Sequence, residues 1–365
     1  MDAQNIPIGG LDLFNNVCYN WHGRTTDGNC HMVNFVGNYY KMGADTGRKQ
    51  LFTQDFESAI NPAVTDQAYV YGNIRENKDH TQTTSGLNNA TGNIPTTYDY
   101  LVSNPLFPSY ATIHTAKDAM KIVTSYAGAT MPMRDEHHQR NVRETLDGTY
   151  TYVGSKSRIK GEIDTEEDIT EHAAGKGWED YPEEQRAADW DTDQDGMPDW
   201  WEQCIGSNAS VANQNDDPNG DGWTLLEDYL DFMAHPYLTL QPHAEGTIDL
   251  RQHFAGFYGQ NGQSVTPTYT VDFPKNHFNA SIEGDLLKVN TSEVGGVGYC
   301  EVTVNDGQTT FTQRFGVAII GGTTGIFEGR CKKDEGRGNT YNLHGQRLSQ
   351  PQKGLNIVNG KKVIY

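Results

Sequence analysis

No apolar run in this sequence approaches the roughly 20 residues that a membrane span needs. The opening MDAQNIPIGG has neither the basic nor the apolar stretch of a signal peptide. Cysteine is sparse: Cys18, Cys30, Cys204, Cys300 and Cys331 are scattered, and none forms a C-x-x-C pair. Their odd number argues against a complete disulfide framework, leaves room for one bridge, and gives zinc no ligand spacing. Positive charge is scarce too. Lys and Arg total 28 against 48 Asp and Glu, a net charge of -20, which argues against nucleic acid and anionic membrane surfaces as partners. Hydrophobic residues make up only 35% of the chain, while it holds 39 glycines and 19 tyrosines, a balance that suits a loop-rich β protein. A length of 365 residues fits two or three domains.

The acid that is present is concentrated. In DTDQDGMPDWWE, aspartates packed this closely repel one another, and a bound cation removes the difficulty. Asp191, Asp193 and Asp195 fall at loop positions one, three and five, and Gly196 at six, where the chain must turn sharply. Met197 offers a backbone carbonyl at seven, Asp199 stands at nine, and Glu202 closes the loop at twelve. This is D-x-D-x-D-G-x5-E, and ligation by oxygen alone suits calcium rather than zinc or copper. A second loop, DPNGDGWTLLED, places Asp217, Asn219, Asp221, the Trp223 carbonyl and Asp228 at positions one, three, five, seven and twelve. A short helix is expected around Trp200 to Ile205. Another is expected through Leu225, Leu226, Tyr229, Leu230 and Met233, which recur at helical spacing. Together they read as a small module whose core depends on metal.

The N-terminal part repeats weakly. LDLFNNVCY begins at Leu11, VNFVGNYYK at Val33 and AYVYGNIRE at Ala68. Each reads apolar-x-apolar-x-x-Asn, with Asn16, Asn38 and Asn73 separated by 22 and 35 residues. Such a period fits coils of a parallel β-helix with stacked asparagines, against the alternative of a meander of ordinary strands. Residues from about 76 to 112 are polar, turn-rich and without period, and read as a long surface excursion. A helix capped by Thr115 and ending near Gly128, and a second from Arg134 to Leu146 ending near Gly148, come next. His137 and His138 lie in the second and face different directions, so a shared metal is not expected. An acidic run follows, then short alternating segments from about Leu238 (TIDL, TYTVDF, LLKVN, CEVTVN, FTQRFGVAII) that suggest a small β-sandwich, with a hairpin at Asn305-Asp306-Gly307. The last stretch reads as three short strands with a turn at Asn359-Gly360.

LDLFNNVCYNWHGRTTDGNCHMVNFVGNYYKMG resembles the late coils of bacterial pectate lyases of polysaccharide lyase family 1, especially those of Bacteroidetes. Asn15, Asn16, Tyr19, Asn20, Trp21, Gly23, Arg24, Thr25, Asn38, Tyr39, Tyr40, Lys41 and Gly43 carry the likeness. It continues through YAGATMPMRDEHHQRNVRETLDGTY at Gly128, Ala129, Pro132, Arg134, Asp135, Arg140 and Val142, and through the calcium-loop tail, covering residues 9 to 234. The final stretch is similar to a C-terminal sorting domain of the type IX kind. The resemblance implies β-elimination of polygalacturonate, in which an arginine abstracts the proton at C5 and calcium bridges the substrate carboxylate. In the family those groups lie in earlier coils. MDAQNIPIGG contains neither Arg nor R-x-P, so the chain is expected to be the C-terminal portion of such a protein, with no catalytic residue of its own.

The expected fold is therefore mainly β: late coils of a partial right-handed parallel β-helix with covering helices over 1–160, an acidic linker over 161–188, paired EF-hand-like calcium loops over 189–236, an Ig-like β-sandwich over 237–320, a linker over 321–338 and a sorting-domain-like β tail over 339–365. The expected function is that of a pectate-lyase-like extracellular or cell-surface protein with calcium as cofactor. Its partner would be acidic polysaccharide, contacted by Arg24 and Lys41, and its tail would meet secretion machinery. The alternative is a non-catalytic, calcium-stabilised carbohydrate-binding or structural module.

Overall fold

The computed structural model describes residues 9–28, 30–56, 66–92, 94, 98–131, 133–170, 185–274 and 277–324, with strand residues 340–341, 347–348, 355–358 and 361–364. Most of the acidic run, Cys331 and the turn at Asn359-Gly360 lie outside the described residues. The chain divides into two compact units. The first is Met1–Gly128, Asp135–Pro182 and Phe254–Thr266; the second is Ala129–Arg134, Glu183–His253 and Pro267–Tyr365.

In the first unit the chain makes successive turns. The first holds β1 (Gly10–Phe14), β2 (Val17–Tyr19) and β3 (Thr26–Gly28). The second holds β4 (Met32–Val36), β5 (Tyr39–Lys41) and β6 (Phe52–Phe56). The third holds β7 (Gln67–Tyr71), β8 (Ile74–Glu76), β9 (Gln82–Thr83) and β10 (Asn88–Gly92). Equivalent strands pair in parallel, giving sheets β1-β4-β7, β2-β5-β8 and β3-β6-β10, with β9 antiparallel on β8. Leu11 pairs with Val33 and Val33 with Ala68, which is the register of the sequence repeat. Alternate side chains turn inward, so that Val33, Phe35, Phe52, Ala68 and Leu87 form a buried core, with the Phe35 and Phe52 rings stacked at 5.3 Å.

The corner between the first two sheets is sharp. Asn15, Gly37 and Gly72 each take a left-handed conformation there, with φ of 53°, 63° and 67°. Asparagine and glycine adopt it at least cost, hence the Asn-Asn and Gly-Asn pairs. The next residue in each coil builds a ladder. Asn16 donates to Asn38 Oδ1 from its backbone N–H and from Nδ2, both at 2.9 Å. Asn38 donates in the same two ways to Asn73 Oδ1, again at 2.9 Å. The stacked asparagines expected from the repeat are present.

The stretch after residue 76 differs from the expected surface excursion. β10 adds a rung to β6, and Leu101 bridges to Ala68. Leu87 and Tyr100 are buried, and these few apolar residues fix the register of an otherwise polar segment. Helix α1 (Ala116–Tyr126) is capped by Thr115, whose side chain accepts from Asp118 N. Helix α2 (Glu136–Asp147) begins two residues later than expected, because Asp135 is its cap, and it ends on Gly148 at φ 70°. Ala116, Met120, Val142 and Leu146 pack against Tyr39 and Ile74.

In the second unit, helix α3 (Asp199–Ile205) and helix α4 (Leu225–Met233) precede the sheets. β11 (Tyr237–Leu240), β13 (Thr268–Asp272), β16 (Val294–Asn305) and β17 (Thr310–Ile319) form one sheet in the order β11-β17-β16-β13. β12 (Glu245–Asp249), β14 (Phe278–Glu283) and β15 (Leu286–Thr291) form an antiparallel sheet in the order β12-β15-β14, and β18 (Thr323–Thr324) pairs with β16. The hairpin between β16 and β17 turns at Asn305-Asp306-Gly307, as its sequence predicts. In α4, Phe232 is fully buried while Leu230 is 55% exposed, the reverse of the spacing argument. Nor do the helices stand on a core of their own: Met197, Trp201, Leu225, Tyr229 and Phe232 share one with Val297, Tyr299 and Ala318 of the sheet. The tail holds four short strands rather than three: β19 (Thr340–Tyr341), β20 (Arg347–Leu348), β21 (Leu355–Val358) and β22 (Lys361–Ile364), in the order β20-β19-β21-β22.

Candidate functional site

The two acidic loops are built alike, although one has an aspartate where the other has asparagine. The fourth and sixth positions are left-handed in both: Gln194 and Gly196 at φ 61° and 96°, Gly220 and Gly222 at φ 69° and 94°. The position-five N–H donates to both earlier side chains, Asp195 N to Asp191 Oδ1 and Asp193 Oδ1 at 3.2 and 3.3 Å, Asp221 N to Asp217 Oδ1 and Asn219 Oδ1 at 3.2 and 3.0 Å. The position-six N–H donates to the other oxygen of position one at 3.0 Å in each loop. Met197 N and Trp223 N then donate to the position-five carboxylate at 2.9 Å. The other oxygen of Asp195 accepts from Asn213 N at 3.0 Å, which ties the first loop to the segment after α3. A helix begins at position nine of each loop, which brings position twelve back over it.

In the first loop, acid oxygens of Asp191, Asp193 and Asp195 lie within 4.8 Å of one another. Glu202 is fully buried, and neither of its carboxylate oxygens has a hydrogen-bond partner, nor has Asp193 Oδ2. Burial, then the charges of Asp193 and Asp195, push the Glu202 carboxyl up to about 7. A buried carboxylate without a protein partner, facing three more, is a strong cost that a cation reverses. The donor set is all oxygen and fits calcium's preference for six to eight hard ligands. Asp191, Asp193, Asp195, the Met197 carbonyl and Glu202 would hold it. Asp199 is placed differently: it accepts from Thr192 N at 2.8 Å and Thr192 Oγ1 at 2.6 Å, bonds that lower its pKa and brace the loop. In the second loop Asp228 is buried like Glu202 and Asp221 is half-buried, while Asp217, Asn219 and Trp223 stay open to solvent.

The two sequence-assigned glycan contacts of the first unit part company. Arg24 has a side chain 78% exposed, with Asp27 Oδ2 at 3.5 Å. Lys41 is 1% exposed. Its ammonium donates to Leu146 O at 2.5 Å and Asn261 Oδ1 at 2.6 Å, and stands 3.4 Å from Glu76 Oε1. Asn261 Nδ2 and His80 also meet Glu76, at 2.9 and 3.1 Å, and Tyr39 donates its hydroxyl to it. Burial pulls the Lys41 pKa down and Glu76 opposes that pull. Lys41 is thus the centre of an internal network rather than a surface cation.

Arg24 has neighbours that become visible only once the coils are in register. The loops leaving β2, β5 and β8 are tied together: Trp21 Nε1 donates to Arg48 O at 3.0 Å, Thr25 Oγ1 to Gln50 O at 2.8 Å, Arg75 to Lys49 O at 2.6 Å, and Lys78 Nζ to Ala44 O at 3.0 Å. Arg24, Arg48, Lys49 and Lys78 therefore lie on mutually bonded loops of consecutive coils, interspersed with Asp27, Asp45 and Asp79. Their sequence spacings are irregular because the coils differ in length, so no periodicity marks them.

Among curated proteins, the chain is similar to the probable pectate lyase C of Aspergillus flavus and to that of Aspergillus oryzae, each 31% identical over 237 residues, or 62% of this chain and 49% of the relative. The chain spans about half the length of these curated relatives. No family model matches it. Among solved structures, an endo-fucoidan hydrolase of glycoside hydrolase family 107 overlaps 26% of this chain and 13% of its own, at 14% identity and a TM-score of 0.19, too little to bear on the fold.

Proposed function

We propose that this chain is an extracellular, pectate-lyase-like protein that engages acidic polysaccharide through its stacked coils and holds calcium in the loops of its second unit. The observation that carries the reading is the similarity to two fungal pectate lyases, running over 62% of the chain. The laddered parallel coils support a β-helix-like reading of the first unit. Arg24, Arg48, Lys49 and Lys78 form the glycan-facing edge. Guanidinium and ammonium groups there would pair with uronate carboxylates spaced along a polymer. Lys41 supports that edge from within.

The family reaction removes a proton from a carbon and expels the glycosidic oxygen. Arg24, exposed beside Asp27, is read as a binding group rather than as the base. No other described residue is assigned as the base. Calcium in the loops, when bound, supplies charge neutralisation and rigidity. The proposed ligands all come from the loop and its helix, so the ion is held by the protein rather than offered to a substrate. The reading is thus of a chain that binds pectate and by itself turns it over weakly or not at all.

Affinity electrophoresis through gels containing polygalacturonate tests binding, and an absorbance assay for unsaturated uronides with added calcium tests turnover. Retardation without turnover is the expected pair. A chain that runs unretarded at every salt concentration from low to moderate would overturn the glycan reading and leave the alternative, a calcium-stabilised structural module. Turnover abolished by Arg24→Ala would instead make Arg24 catalytic.

A further inference from the structure

In the first unit, β2, α1 and α2 enclose a cleft of about 260 Å³. One wall is apolar, from Val17, Val123, Ala127 and Val142; His138 and Asn141 stand among the polar residues. The lining hydroxyls are already engaged: Tyr19 donates to Thr149 O, Thr124 Oγ1 to Met120 O at 2.6 Å, and Thr145 Oγ1 to Asn141 O at 2.7 Å. The His138 ring is fixed by the cap of α2. Asp135 Oδ1 accepts from His138 N at 2.8 Å, and Asp135 Oδ2 lies 2.5 Å from His138 Nδ1. With Nδ1 held against the carboxylate, Nε2 is the ring's remaining polar atom. The Asn141 amide, on the exposed side of α2, has donors and an acceptor to offer.

We propose that this cleft binds a single uncharged pyranose ring, with hydroxyls on the His138 ring and the Asn141 amide and a C–H face against the valines. Its volume lies just below the roughly 300–1,000 Å³ of drug-sized sites, the scale of one ring rather than an oligomer. No Lys or Arg lines it, so a uronate carboxylate would be desolvated there without a counter-charge. The site is therefore chemically opposite to the basic edge of the coils and does not depend on that edge binding pectate. Its ligand class is a neutral sugar, free or carried as a branch.

Saturation-transfer NMR on the full chain with methyl α-galactoside and with methyl α-galacturonate, read together with the His138 ring resonances, tests this. The neutral glycoside should saturate the site and shift the His138 resonances, while the uronate should bind at least about tenfold more weakly. His138→Ala should weaken binding by about tenfold, the loss of one well-placed hydrogen bond. Asn141→Trp fills the cleft from an exposed helical position, so the fold survives and binding should vanish. No transfer to the neutral glycoside, equal or tighter binding of the uronate, or unchanged binding in Asn141→Trp would each overturn the proposal.

Discussion

Lys41 shows how far burial governs a single charged residue. Breaking a buried ion pair by removing one partner costs roughly 3–5 kcal/mol, because the other charge remains without compensation. Lys41→Ala should therefore lower the urea midpoint by more than any exposed cation of the same coils, and Arg24→Ala should barely move it; equal shifts would refute the internal role. Asn38 is the middle of the ladder, and Asn38→Ala strips partners from both neighbours, at about 3 kcal/mol when buried groups lose their bonds. Asn16→Ala, at the exposed first rung, should cost less by the same measurement. His253 carries a pH dependence. Burial, then the nearby Arg134, lowers its pKa to about 4 from 6.5. The folded state therefore binds fewer protons than the unfolded one between those values, so this contribution is intact above pH 6.5 and lost as pH falls toward 4. That window is worth up to about 3 kcal/mol, and His253→Phe should flatten the curve of melting temperature against pH across it. The ladder asparagines were legible in the sequence because they repeat. The burial of Lys41 was not, since its partners Glu76, Leu146 and Asn261 are far apart in sequence and nothing local distinguishes an inward lysine from an outward one.

At the scale of elements, the two acidic loops were the most readable part of the chain, because acid spacing and the turn glycine are strictly local requirements. The exchange of Leu230 for Phe232 was not, since it depends on how α4 meets the sheet, and Thr192 competes for Asp199 in a way that ligand spacing alone does not mark. That meeting has a consequence for metal removal. Trp201 is fully buried in the core shared by the helices and β16–β17, one residue before Glu202. Chelation should red-shift tryptophan emission and lower the melting temperature, calcium should reverse both, and magnesium should do so less fully. Asp191→Ala with Asp195→Ala should leave one titrating ion; two remaining ions would rule out the first loop. The strand Asn88–Gly92 marks the opposite limit of legibility. Its side chains lack β propensity, and its pairing on β6 is imposed by coil register and the buried Leu87.

For the whole molecule, a net charge of -20 opposes approach to any polyanion, so binding of acidic glycan has to rely on the local edge of Arg24, Arg48, Lys49 and Lys78. Retardation by polygalacturonate should rise with modest salt, as long-range repulsion is screened, and fall at higher salt, as the contacts themselves weaken. Arg48→Ala with Lys49→Ala should remove most of it at every salt concentration; retention unchanged by the double variant would locate the glycan elsewhere. The asparagine ladder adds a property of another kind. Each rung donates forward to the next asparagine, and Asn38 and Asn73 also donate back, to Leu13 O at 3.0 Å and Phe35 O at 2.8 Å, so the ladder stitches neighbouring coils in both directions.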